Sequence, residues 1–393
     1  MELGLLPALG GGIGELRRTG QDSRLLDGYL TPYAGAFERV WYFSYLPETL
    51  ADYTRDARLL QSVRLVAPRS RRPRLLRALA LPLAHRSAFK RCAVLRVFQV
   101  TGVIPALVAR ALWGIPYVTT YGFWYGRLSR PGPSRPAKRL LERVGLRQAA
   151  GVIVTTEELR AHVASFTSPD RVHLIPNGVD TSRFTPSPSF LTPSSLSSPP
   201  RGRGKGEGET AAPWMILYVG RLEAEKNLAA LVTAAAKVAS RFPVRLALIG
   251  AGSLQSDLRA QAEALGVGVE FPGVVDHRRL SERYREADVF VLPSFTEGHP
   301  KVLIEAMASG LPCVASDCPG NRALVRDGET GLLFDARNPD ALAAALERVL
   351  GEGPLAAALG RRAREVIVKE YDLGMLVERE IRLLKQIAGA GRR

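Results

Sequence analysis

The strongest constraint on this chain is a repeated alternation of short runs, apolar on both faces, with segments of helical periodicity. In the second half the runs are WMILYVG (214–220), VRLALIG (244–250), VEFPGVV (269–275), VFVLPS (289–294), PCVAS (312–316) and GLLF (331–334). Between them lie NLAALVTAAAKVASRF, LQSDLRAQAEALG, RRLSERYREA, PKVLIEAMASG and PDALAAALERVLG. A strand apolar on both faces must be covered on both sides, and amphipathic helices are what this sequence offers as cover. That combination predicts a parallel, doubly wound sheet. The first half repeats the pattern with LGLLPALG, RVWYFSY, SVRLVAP, VLRVFQV, PYVTTYG, GVIVTT and VHLIP.

Between the halves, TPSPSFLTPSSLSSPPRGRGKGEGETAAP (185–213) is first Pro/Ser-rich and then Gly/charge-rich, which reads as a linker or surface insertion. At 393 residues and 46% hydrophobic content the chain suits two cores of about 150–200 residues each. The expected class is therefore α/β, with two Rossmann-like doubly wound domains facing across a cleft, at 1–184 and 214–365. The last segment, 366–393, reads equally as an ordinary terminal helix and as one that packs back on the first domain.

The charge is unevenly held. Residues 1–184 carry 27 Lys/Arg against 13 Asp/Glu, and residues 214–393 carry 24 against 23, out of a formal net of +16. An excess confined to one half reports a partner rather than a fold. Residues Arg64–Arg96 hold ten Lys/Arg and no acid, interleaved with leucines, and Arg127–Arg147 is opposed only by Glu142. The pattern fits an amphipathic element on an anionic bilayer, or else a solvated arginine-rich surface. No nucleic-acid module accompanies it, so nucleic acid is not an expected partner. The apolar run GVIPALVARALWGIPYVTTYG contains Arg110 and two prolines, which argues against a membrane span. The N-terminus has no basic leader. Cys92, Cys313 and Cys318 are too scattered for a disulfide frame and lack zinc-type spacing. The expectation is a cytoplasmic protein, peripheral on the inner membrane face if the basic tract docks.

The stretch EGHPKVLIE sets Glu297 in a turn and Glu305 within an apolar helix, with Pro300 suited to the first helical position. Side chains on a helix lean toward its N-terminus, so Glu305 is expected to point back to the mouth. The N–H groups near Lys301, Val302 and Leu303 would form an anion site between the acids. Two carboxylates flanking such a site suit a ligand with a central diphosphate and hydroxyl-rich ends, a nucleotide sugar; a capped helix with one core glutamate is the plainer alternative. In LYVGRLEAEKNL, Arg221 and Lys226 follow a strand end and could stabilise a departing diphosphate without a metal. A solvated turn would read the same way. ALGGGIGEL places Gly10, Gly11, Gly12 and Gly14 after the first strand, without a dinucleotide or Walker spacing. LIGAGSL is a second tight strand-to-helix turn.

YVGRLEAEKNL, LIGAGSL, VEFPGVV, LPSFTEGHPKVLIEAMASGLPCVASDCPGNRALVRDGETGLLF and, in the first half, VHLIPNGVDTSRFTP together resemble the retaining glycosyltransferases of family 4, enzymes of the GT-B fold. The resemblance implies that Glu297 contacts the donor sugar near the reacting carbon, and that Glu305 binds the ribose. It puts Arg221 and Lys226 on the diphosphate, and the backbone of Gly298, His299, Pro300, Lys301, Val302 and Leu303 on sugar and phosphate. It further implies that PNGVD (176–180) forms the interdomain hinge and that the Gly10–Gly12 loop, with Gly11 and Gly12, closes over the phosphates. The implied reaction is a metal-independent hexosyl transfer, with retention, to a saccharide or lipid-linked acceptor in envelope or exopolysaccharide synthesis. No cofactor is expected. Where family members often carry a first-domain histidine, this chain has Gln99, Thr101 and Tyr121, so acceptor-side roles do not carry over. The aromatic TTYGFWYGR (119–127) is read as acceptor contact or as core. A nucleotide-sugar epimerase or a non-catalytic nucleotide-sugar-binding protein are the alternatives.

Overall fold

The computed structural model describes residues 1–68, 73–122, 135–187 and 213–391. Most of the 185–213 stretch, the aromatic residues 123–127, positions 69–72 of the first basic tract and 127–134 of the second lie outside the described residues. The chain divides into two compact units: Met1–Pro176 with Gly374–Arg393, and Asn177–Leu373.

The first unit is built on strands β1 (Glu2–Leu6), β2 (Arg39–Phe43), β3 (Val63–Val66), β4 (Cys92–Val97), β5 (Tyr117–Tyr121), β6 (Gly151–Val154) and β7 (Val172–Leu174). They form one sheet in the order β3-β2-β1-β4-β5-β6-β7, parallel throughout. The second unit uses β8 (Trp214–Val219), β9 (Val244–Ile249), β10 (Gly268–Gly273), β11 (Val289–Leu292), β12 (Cys313–Ser316) and β13 (Leu332–Phe334). Their order is β10-β9-β8-β11-β12-β13, again all parallel. Each apolar run of the sequence is one of these strands. The central ones, β11 and β12, are buried at every position, as helices on both faces require. In each sheet the order reverses once, between β1 and β4 and between β8 and β11. The C-terminal ends of strands at such a reversal leave a crevice that helices do not fill.

Two boundaries differ from the sequence reading. The first unit ends at Pro176 rather than 184, because the following segment packs on the second unit: the Phe184 ring lies 5.3 Å from His277 and 5.7 Å from Tyr284. The expected 366–393 helix is two helices, Gly353–Glu370 and Leu373–Ala390. The chain breaks between them where Asp372 bridges to Val179, with Val179 N–H donating to the Tyr371 carbonyl (3.0 Å) and Leu373 N–H to the Val179 carbonyl (2.8 Å). From Gly374 onward the last helix belongs to the first unit, where Glu380 forms a buried ion pair with Arg96 of β4 and accepts from the Tyr33 hydroxyl. Among the described residues no helix is long and apolar enough to cross a membrane.

Candidate functional site

The site in the second unit is assembled by tight turns at the ends of β8, β9 and β11. After β8 and β9 the backbone passes so closely that a Cβ on Gly250 (φ +134°) would lie 1.9 Å from the Gly220 carbonyl oxygen. Only glycine permits this approach. Leu222 N–H then donates to the Ala251 carbonyl at 3.0 Å, which fixes the course of the loop. It ends in a single turn, Ala224–Lys226, followed by Asn227 in the left-handed region (φ 54°), a conformation asparagine tolerates. The Asn227 amide donates to the carbonyls of Ala336 (2.9 Å) and Pro293 (3.3 Å), and Phe295 N–H donates to the Glu225 carbonyl (3.0 Å). These bonds fasten the turn to the loop after β11.

As a result Lys226 Nζ lies 2.6 Å from Glu297 Oε1, with side chains only 15% and 12% exposed. The Ser294 hydroxyl donates to the same carboxylate oxygen at 2.7 Å. Two residues predicted from separate motifs thus meet at the strand-order reversal. Arg221 lies on the same loop but is 68% exposed and paired with Glu225 at 2.5 Å.

The helix after β11 spans Lys301–Ala308, one position later than expected, and Pro300 is its extended cap rather than its first helical residue. Leu303 N–H is already used by the Pro300 carbonyl (3.2 Å), so it does not contribute to an open anion site. Glu305 also departs from expectation. It is 1% exposed, and its carboxylate faces inward, accepting from His277 Nε2 (2.9 Å) and the Tyr284 hydroxyl (3.0 Å). Position 305 is a turn deeper than the helix start, and helical lean cannot carry it past the His277 and Tyr284 side chains packed there. The geometry is that of a satisfied core glutamate.

Gly298 and His299 form the floor of the loop. A Cβ on Gly320 would come within 2.4 Å of the Glu297 carbonyl oxygen and 2.6 Å of that of Gly298, so glycine at 320 lets the next helix start pack directly under the loop. Asn177 donates to the His299 carbonyl at 2.7 Å, and Tyr371 stacks on the His299 ring at 5.7 Å. Burial, with Lys301 adding to it, pushes the His299 imidazole down to about 3. It is neutral near pH 7 and cannot act there as a proton donor of imidazolium type.

The glycine loop of the first unit is likewise not an open phosphate cradle. A carboxylate of the chain itself occupies the start of the Ile13–Arg18 helix: Glu48 accepts from Ile13 N–H (2.9 Å) and Gly14 N–H (2.8 Å). The Ser44 hydroxyl (2.5 Å) and the Tyr53 hydroxyl (2.8 Å) donate to the same group. Gly11 N–H is turned back onto the Ala8 carbonyl (2.9 Å), and a Cβ on Gly12 would strike Glu48 at 2.5 Å. Gly11 and Gly12 are expected to present backbone to a phosphate; in this fold the adjacent helix start, which attracts an anion, already holds the Glu48 carboxylate.

Sequence reasoning missed Ser294, Glu225 and Glu48. Ser294 carried a signal, as the only polar side chain of its strand run, at the strand end where ligands bind. Glu48 carried none, since it lies 35 residues beyond the N–H it satisfies.

Family models match most of the chain in two parts: Glycosyl transferases group 1 over residues 205–366 and Glycosyltransferase Family 4 over 38–183. The phosphatidyl-myo-inositol mannosyltransferase of Mycolicibacterium smegmatis is 36% identical over 220 residues, 55% of this chain and 52% of that protein. The D-inositol 3-phosphate glycosyltransferase of Acidothermus cellulolyticus is 34% identical over 275 residues, 65% of this chain and 59% of that one. The chain thus spans a little over half the length of these relatives. Among solved structures, the sucrose-phosphate synthase of Thermosynechococcus elongatus superposes with a TM-score of 0.77 at 22% identity, covering 99% of this chain and all of that one. Anabaena HepE, solved with UDP-glucose, gives 0.73 at 18%, covering 98% and 100%. Those likenesses are of fold. With its two parallel-sheet Rossmann-like domains and both family models in sequence order, this chain belongs to glycosyltransferase family 4 and has the GT-B fold.

Proposed function

We propose that the chain transfers a hexose from a nucleotide-diphosphate sugar to a saccharide, inositol-phosphate or lipid-linked acceptor, with retention and without a metal, in envelope glycan synthesis. The observation that carries this reading is the shielded Lys226–Glu297 pair at the β8/β11 reversal, beside the start of the Lys301–Ala308 helix. Lys226, with Arg221 nearer solvent, takes the diphosphate and neutralises charge that grows on it as the glycosyl bond breaks. The helix start adds its dipole to the same anion. Glu297 hydrogen-bonds the sugar beside the reacting carbon. Glu305 acts behind the site, holding His277 and Tyr284, and reaches the ribose only if it leaves those partners. The relatives named for inositol-containing acceptors make inositol phosphate and phosphatidylinositol the first acceptors to try.

The membrane half of the proposal rests on the Arg74–Ala84 helix. Leu75, Leu76, Leu79 and Leu83 are 59%, 54%, 49% and 60% exposed, while Ala78, Leu81 and Pro82 are buried. Arg74, Arg86, Lys90 and Arg91 around it are exposed. An apolar stripe edged by cations is what an anionic bilayer on the cytoplasmic face would receive.

The test is a panel of nucleotide sugars, including UDP-glucose and GDP-mannose, with each acceptor. One donor should release nucleoside diphosphate, and the product anomer, read by NMR, should match the donor's. Lys226→Ala should lower kcat on the order of 10²-fold. No turnover with any donor, or product of inverted configuration, would overturn the reading.

A further inference from the structure

Both cations assigned to the diphosphate are already engaged by carboxylates of the chain. Lys226 is held by Glu297 at 2.6 Å in a shielded setting, and Arg221 by Glu225 at 2.5 Å in an open one. The backbone around them is fixed independently of these side chains, through Phe295 N–H on the Glu225 carbonyl and Asn227 on the Pro293 carbonyl. The pairs can therefore open without moving the loops. Glu297 also keeps a partner when Lys226 leaves, because Ser294 donates to the same oxygen at 2.7 Å.

We propose that Glu297, and more weakly Glu225, are built-in competitors of the donor's diphosphate for Lys226 and Arg221. This rests on the donor-site reading above. A diphosphate carries more charge than a carboxylate and takes Lys226 from Glu297 on arrival. The freed Glu297 oxygen, steadied by Ser294, then becomes an acceptor for sugar hydroxyls. One exchange thus couples phosphate binding to arming of the sugar side. Once the sugar has gone, nothing occupies Glu297, and its return to Lys226 speeds departure of the nucleoside diphosphate. The exchange breaks no covalent bond and moves no proton.

The experiment measures nucleoside diphosphate binding to the full chain by calorimetry and its dissociation rate by stopped flow. Glu297→Gln should bind about tenfold more tightly, mostly through slower release, because a neutral amide no longer competes for Lys226. Glu297→Ala should show the same direction and serves if the first variant does not fold. Glu225→Gln should gain about twofold at most, its pair being exposed. In a Lys226→Met background the gain from Glu297→Gln should nearly vanish. A gain of full size in that background would mean plain charge repulsion and would overturn the proposal. So would unchanged or weaker binding by Glu297→Gln and Glu297→Ala. Failure of the unaltered protein to bind any nucleoside diphosphate would instead sink the donor-site reading itself.

Discussion

His299 shows how one residue can serve a site without reacting in it. Its ring is buried against Tyr371, its Nδ1 has no hydrogen-bond partner among the described residues, and its carbonyl is tied down by Asn177. Its imidazole sits at about 3 in the fold against 6.5 ordinarily, so between those values the unfolded chain binds a proton that the folded chain refuses. Stability is whole above pH 6.5 and falls as the solution is acidified, by about 1.4 kcal/mol per pH unit from this group. His299→Phe should flatten that part of a urea-midpoint profile between about pH 6.5 and 4. Gly320 makes a steric point. Gly320→Ala would press a Cβ against two carbonyls of the Glu297 loop. It should cost on the order of 1–3 kcal/mol and displace Glu297, so that activity falls more than the melting temperature suggests. Kinetics and calorimetry on the same sample would check this.

At the scale of elements, what the sequence made legible was whatever is local. The central strands β11 and β12 appear because a strand covered on both faces has to be apolar at nearly every position, a property visible in a few residues, while edge strands such as β3 and β10 are only partly buried. The helix after β11 and the glycine turns are similarly local. The Lys226–Glu297 pair spans 71 residues and was legible only because each partner lay at a strand end where the topology gathers ligands. The direction of the Glu305 carboxylate was hidden for the opposite reason. Its direction depends on His277 and Tyr284, whose packing no local pattern announces. The Arg74–Ala84 helix lies in the basic tract, which the sequence marked only as leucines interleaved with arginines. It yields a direct prediction. Leu79→Glu should weaken sedimentation with vesicles containing anionic lipid several-fold, leaving donor hydrolysis in solution unchanged. Equal binding to neutral and anionic vesicles by the unaltered protein would count against docking.

The whole molecule is joined in a way that the sequence order conceals. The first unit is completed by the last helix, and the Arg96–Glu380 pair is its buried fastening, with Arg96 also donating to Thr120 (2.8 Å) and the Val97 carbonyl (2.6 Å). Removing only the acid strands a guanidinium away from water. Glu380→Ala should therefore cost about 3–5 kcal/mol in chemical denaturation of the first unit. Replacing both partners with apolar residues should cost far less.

The parallel bridge between Val179 and Asp372 joins the two end segments of the second unit. Residues 177–373 are therefore one uninterrupted piece that could be expressed by itself and screened for nucleotide ligands. The remainder is split across both termini, Met1–Pro176 and Gly374–Arg393. A flexible Gly/Ser linker joining Pro176 to Gly374 would close it into a single shorter polypeptide, ready for vesicle assays free of the second unit.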